Sequence, residues 1–324
     1  MNTVSLPGID RPVSLLSQGS LGLLWGEDAD AFAVLDAAME AGICSFDTAH
    51  VYDFGDRGVD RLLGRWIASH GDRGAAVIMA KGCHPDHEGN PRVSPADLLS
   101  DVSDTLTRAR LDYVDVWSFH RDDLSVPIGE LVDAANAEIE SGRIRAWGVS
   151  NWTTPRLAAA VDYAESNGRA GPVANSAHYS LVDQIDSPWD DVVTLTGPAA
   201  AEDRAWHVAE QMPVVAWSSL AGGFLSANLS REELGSPESD HVREVARCYA
   251  SVENWARRDS ATALAAERGV SLSQLAIAWV LGDDMATLAV AGGATISEVQ
   301  ENAVAAAIEL TPTERMILSE GAAQ

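Results

Sequence analysis

Along this chain short apolar runs alternate with stretches in which hydrophobic side chains return every three to four positions. That alternation is the signature of strands followed by amphipathic helices, and hence of βα units around a parallel sheet. The apolar runs fall at residues 15–19, 43–47, 76–81, 113–120, 144–150, 172–176, 213–218 and 287–291. Eight strands with helices between them predict an α/β fold of the (β/α)8 TIM-barrel type. Helical periodicity covers 28–41, 94–108, 127–141 and 154–166. Ser94 and Thr154, each followed by proline, read as N-caps, and Gly42 and Gly142 sit where left-handed helix stops are expected. Val4 and Leu6 lead into the turn cluster 7–12, and Val13 and Leu15 follow it, which predicts an N-terminal β-hairpin plugging one end of the fold.

Two segments exceed a minimal barrel. Residues 184–197, with Pro188, Trp189 and Gly197, and the glycine- and serine-containing stretch 221–242 read as long loops at the C-terminal face, where barrels build substrate sites. With no internal repeat, low-complexity tract or linker, residues 1–324 read as one domain.

Charge narrows the partners. Lys and Arg number 22 against 48 Asp and Glu, a formal net charge of -26 that opposes nucleic acid and anionic membranes. Cys44, Cys83 and Cys248 are odd in number and lack CxxC spacing, so they indicate neither a disulfide framework nor a zinc knuckle and fit a reducing cytosol. The N-terminus lacks the basic start and apolar core of a signal peptide, and no run approaches the ~18 apolar residues of a membrane span. A cytoplasmic protein is expected.

Candidate chemistry collects where buried strands end. Asp47 closes the second run, Lys81 the third and His120 the fourth, at gaps of 34 and 39 residues, each about one βα unit. Tyr52 follows in the loop after Asp47. Singly these are a turn aspartate, a solvated lysine and a core histidine. Together at one rim they are costly to bury unless they pair and do chemistry. A phenol titrates near ~10, so protonating a developing alkoxide at neutral pH calls for a cation beside it, and Lys81 is the expected one. Asp47 would hold Lys81 charged, while a neutral His120 would orient the substrate oxygen.

With these residues in place the chain resembles the aldo-keto reductases. The resemblance rests on the segment 42–49 followed by Tyr52, on Lys81 and His120, and on Gly148-Val149-Ser150-Asn151. It rests also on 216–223 and on 292–302, in the right order over essentially the whole chain. It implies a nicotinamide dinucleotide, NAD(P)(H), lying across the barrel mouth, and hydride transfer between it and a carbonyl. Tyr52 would serve as acid or base. Ser150 and Asn151 would hold the nicotinamide carboxamide, with Ser176 where the family has glutamine. Trp217 stands where a tyrosine usually stacks on the ring, Ser218 and Leu220 lie in the pyrophosphate loop, and Glu301 and Asn302 match adenine contacts. In the stretch holding Gly292, Gly293 and Thr295 this chain lacks the family's early cation, and Glu298 replaces an arginine or glutamine. A carboxylate repels a 2'-phosphate and accepts from a free 2'-hydroxyl, so the family default of NADP shifts here toward NAD. The other reading puts Glu298 on a solvated helix face, with an arginine elsewhere serving the phosphate.

Trp25, His50 and Trp152 read as substrate-pocket residues, suited to a sugar or aryl aldehyde or ketone. Trp66 and Trp279, on helical stretches, read as packing. Two other readings stay open: a metal-dependent barrel hydrolase using the loop pair His84 and His87, although this spacing is weak and no metal is expected, and a non-catalytic regulatory barrel. The partner expected is a small-molecule carbonyl or alcohol.

Overall fold

The computed structural model describes residues 2–70 and 72–320. Eight parallel strands close into a barrel in chain order: Leu16–Gly19, Ser45–Asp47, Val77–Gly82, Val114–Phe119, Ile144–Ser150, Asn175–Ser176, Val214–Ala216 and Thr287–Ala291. The first, second, fourth, sixth and seventh strands are shorter than their apolar runs, most of all the sixth. An antiparallel hairpin, Thr3–Val4 with Val13–Ser14, precedes the barrel. Its turn lies close against the fifth strand, where a Cβ on Gly8 (φ 79°) would come within 2.7 Å of the Arg145 carbonyl oxygen. Nearby, the buried Asp115 carboxylate takes Arg11 and Arg73, each at 2.6 Å, and the Ile78 amide at 2.8 Å.

Helix boundaries follow local chemistry. In helix Pro95–Ala109, Ser94 Oγ accepts from the Asp97 amide and the Ser94 amide donates to Asp97 Oδ2, a reciprocal capping box with proline in the first turn. Helix Thr154–Asn167 has Thr153 rather than Thr154 as its cap residue, one position earlier than expected. Helices Asp28–Glu40 and Ile128–Glu140 both run into glycines with positive φ, Gly42 at 85° and Gly142 at 77°. The stretch 221–242 is not one open loop. It holds the 3-10 turn Ala221–Gly223, helix Arg231–Gly235 and the start of helix Asp240–Tyr249, the two helices capped by Ser230 and Ser239. Trp66 and Trp279 are buried, as packing residues should be.

The chain divides into two compact units. One comprises Thr3–Ser176 with Gly292–Gln300; the other comprises Ala177–Ala291 with the residues from Glu301 on. Among the described residues no helix is long and apolar enough to cross a membrane.

Candidate active site

In the first unit, register decides which side chains share a face. Asp47 pairs with Met79, and Lys81, two residues farther along, pairs with Ser118. Because side chains alternate along a strand, Met79 and Lys81 point the same way, so Lys81 reaches back to the end of its neighbour. Its ammonium donates to Asp47 Oδ1, and both residues are buried. His120 lies one residue beyond the fourth strand, tied by its amide to the Gly82 carbonyl at 2.7 Å.

Tyr52 is delivered by backbone. The Thr48 and His50 amides continue onto Met79 and Lys81 carbonyls at 2.9 and 2.7 Å, and the Tyr52 amide then closes a tight turn on Ala49 at 2.8 Å. This brings the phenol ring edge-on to His120, with centroids 6.3 Å apart. Asp47, Tyr52, Lys81 and His120 therefore form one group.

The electrostatics differ from the expectation in one respect. Burial first, and then the Asp47 carboxylate, push the Tyr52 phenol well up, and the cation that opposes them is Arg121 rather than Lys81. Lys81 is spent on Asp47. Arg121, buried beside His120 with Nη1 on the His120 carbonyl at 2.7 Å, escaped the sequence reading because it follows the apolar run 113–120 and looks like loop. Burial, then the Lys81 and Arg121 charges, hold the His120 imidazole far below its ordinary range, so the ring is neutral as expected. Its Nδ1 is buried without a hydrogen-bond partner. A buried donor or acceptor in that condition suits a ligand oxygen.

His84 belongs to this group as well. Its ring stands edge-on to His120 at 5.0 Å, and its Nδ1 pairs with the Pro85 carbonyl oxygen at 3.0 Å. Among the described residues no three His, Cys, Asp or Glu side chains gather as a metal site, so the His84/His87 hydrolase reading has no ligand set.

The expected substrate residues separate. Trp25 is 68% exposed and lies 5.6 Å from Phe54. Phe54 sits on a small hairpin tied to the Trp25 turn by Arg57 Nη1 on the Leu24 carbonyl at 2.9 Å, a pairing that no sequence pattern announces. Trp152 corrects the expectation: it is 0% exposed, donates to the Arg121 carbonyl and packs on Phe119, so its ring offers no surface to a substrate. His50 turns its ring nitrogens to Asp104 at 3.3 Å and Asp101 at 3.7 Å, bracing the loop that carries Tyr52.

The expected cofactor residues fall into two sets. In the first unit, Asn151, left-handed at φ 58°, donates its amide to the Ser176 carbonyl at 3.0 Å and its Nδ2 to Ser150 Oγ at 3.1 Å. Gly293 approaches the helix Ile296–Ala305 so closely that a Cβ would meet Val299 Cγ2 at 2.8 Å; Gly292 precedes it. Glu298 is neither idle nor simply solvated. Its Oε2 accepts from the Ala294 and Thr295 amides at 2.9 and 3.2 Å, while its own amide donates to Thr295 Oγ1 at 3.2 Å. In the second unit, Trp217 stacks on Trp189, centroids 5.5 Å apart at 26°, and meets His178 edge-on at 5.1 Å. Ser218 is left-handed at φ 52° and its carbonyl accepts the Ala221 amide at 2.7 Å, with Leu220 between them. Ser271 Oγ donates to Glu301, and Asn302 is buried. In the first unit, the Ser150 hydroxyl and the Asn151 amide are donors and acceptors of the type that a nicotinamide carboxamide takes.

Comparison with known proteins agrees with this chemistry. A family described as the aldo/keto reductase family matches residues 19–320. Similar curated proteins include an uncharacterized oxidoreductase, YrpG, of Bacillus subtilis, 26% identical over 92% of this chain and 89% of its own length. A probable voltage-gated potassium channel subunit beta of Arabidopsis thaliana is 27% identical over 90% of this chain and 86% of its own. The aldo-keto reductase AFTS1 of Alternaria alternata is 26% identical over 90% and 82%.

Proposed function

The chain belongs to the aldo/keto reductase family and is an NAD(P)-dependent oxidoreductase, and from that premise we propose that Tyr52, Lys81, Asp47 and His120 interconvert a carbonyl and an alcohol. The observation that carries the reading is the Lys81–Asp47 pair at adjacent strand ends, beside a neutral His120 whose Nδ1 has no partner. The dinucleotide, when bound, supplies or accepts the hydride. In the reducing direction His120 holds the carbonyl oxygen, and Tyr52 donates its phenolic proton as charge develops there. A raised phenol pKa keeps Tyr52 protonated before the step, and the Arg121 charge stabilises the phenolate after it.

Ser150, Asn151, Ser176 and Trp217 are assigned to the nicotinamide end, Ser218 and Leu220 to the pyrophosphate, and Gly292, Gly293, Thr295, Glu301 and Asn302 to the adenosine end. Glu298 favours NAD. Its carboxylate occupies the amides of Ala294 and Thr295 at a helix N-terminus, where a 2'-phosphate would otherwise find donors. The exposed aromatic pair Trp25 and Phe54 suits an aryl or sugar aldehyde or ketone. Residues 1–324 act as one barrel domain, and three free thiols fit a cytoplasmic setting.

The test is turnover of an aldehyde panel with NADH or NADPH by the wild type and by Tyr52→Phe. Wild-type turnover that falls by ~10²-fold or more in the variant supports the assignment. Equal turnover in both removes Tyr52 from the chemistry. No turnover in either, with cofactor bound, returns the reading to a non-catalytic regulatory barrel; two plant relatives are named as probable voltage-gated potassium channel subunits beta.

A further inference from the structure

The second unit holds a cavity of about 310 Å³ whose walls include Arg204, Arg257, Arg315, Tyr179 and Trp279. It shares no residue with the Tyr52 group. Three guanidinium groups around one cavity are unexpected in a chain of formal net charge -26. Two have carboxylate partners on the same wall: Arg257 Nη1 lies 2.9 Å from Asp183 Oδ1, and Arg315 Nη2 lies 3.1 Å from Asp283 Oδ2. The Tyr179 hydroxyl also donates to Asp283, at 2.6 Å.

Arg204 is different. Its Nη1 donates to the Leu195 and Gly197 carbonyls, both at 2.7 Å, and among the described residues no carboxylate lies within ion-pair distance of it. Carbonyl partners orient a guanidinium without neutralising it. The lining therefore carries one uncompensated positive charge on a braced side chain. Nη1 alone is used, so Nε and Nη2 remain as the parallel pair of donors that matches a carboxylate. Leu181, Pro198 and the Trp279 ring give the same cavity an apolar wall.

We propose that this cavity is a binding site for a small organic monocarboxylate, held fork to fork by Arg204 with its apolar body against the Trp279 side. A single negative charge matches the excess of the lining, whereas a neutral molecule leaves Arg204 unpaired and a cation is repelled by it.

The test uses 4-fluorobenzoate as probe, followed by fluorine NMR titration of the full chain saturated with NADH. Saturable binding is expected that Arg204→Gln weakens at least tenfold, that Tyr52→Phe leaves unchanged, and that 4-fluorobenzamide does not reproduce. Arg257→Gln, which removes one positive charge from the same lining without touching the brace at 195–197, should weaken binding in the same direction if Arg204→Gln unfolds. The proposal is overturned by no binding at millimolar probe, by equal binding of the amide, or by binding that survives loss of either arginine. Loss of binding in Tyr52→Phe would also overturn it, by assigning the probe to the reaction site.

Discussion

Lys81 donates its ammonium to the Asp47 carboxylate, and it is the only lysine in a chain with 22 basic residues. Everywhere else arginine serves. At this position a compact ammonium on a flexible stem can reach one carboxylate oxygen within a narrow rim, which a planar fork cannot do in the same space. Lys81→Arg is expected to fold and bind cofactor but to lose ~10²-fold or more in kcat, measured by steady-state kinetics with an active aldehyde. Wild-type kcat in that variant would show that any cation suffices.

Removing the charge altogether leaves Asp47 buried without its partner. Lys81→Met is expected to lower stability by ~3–5 kcal/mol, and Lys81→Met with Asp47→Asn to recover a large part of it. Urea unfolding at pH 7 of the wild type and both variants checks this. Equal loss in the single and double variants would mean that the pair is not coupled.

The pH profile of carbonyl reduction follows from His120 and Tyr52. His120 is neutral far below its ordinary range and Tyr52 stays protonated above its own, so neither titrates between pH 6 and 9. The expected kcat for reduction is flat across that window. An ionisation near ~6.5 that vanishes in His120→Gln would contradict the neutral-imidazole assignment.

Asp60 gives a stability test away from the reaction. It is buried, accepts from Thr48 Oγ1 at 2.9 Å, and burial raises its pKa to about 6. Because the folded value lies above the unfolded one of ~3.9, its contribution is full below ~3.9 and is lost as pH rises through about 6. His178, pushed down to about 3 by burial, acts oppositely and stabilises more as pH rises toward ~6.5. Comparing wild type with Asp60→Asn cancels the His178 contribution. Between pH 4 and 7 the wild type should lose ~2–3 kcal/mol relative to the variant in chemical denaturation. A pH-independent difference would place the Asp60 pKa at its ordinary value.

Glu298 sets the cofactor test. Glu298→Gln frees the Ala294 and Thr295 amides from a formal negative charge, and Glu298→Arg adds a cation at the same helix start. Affinity for NADPH relative to NADH should rise at least ~10-fold in the arginine variant, with the glutamine variant between. Titration of tryptophan fluorescence reads both cofactors. An unchanged ratio would move the 2'-end elsewhere. Loss of the charged cap should also cost about 1 kcal/mol.

The order of apolar runs, the caps and the polar residues at strand ends determined the barrel, its hairpin and the group of Asp47, Tyr52, Lys81 and His120, because these depend on local period and on one βα unit per step. Three things were decided only by tertiary structure. Arg121 and His84 entered the group because strand register and loop return bring together residues that no spacing relates. Trp152 left the substrate wall because a ring beside Asn151 can point inward as readily as outward, and side-chain direction is fixed by packing. The pairing of Lys81 with Asp47 was expected from the sequence, but the cation that opposes the rise of the Tyr52 phenol is Arg121, which no spacing singled out. Residue type predicts that a cation is needed, but only three-dimensional proximity says which one supplies it.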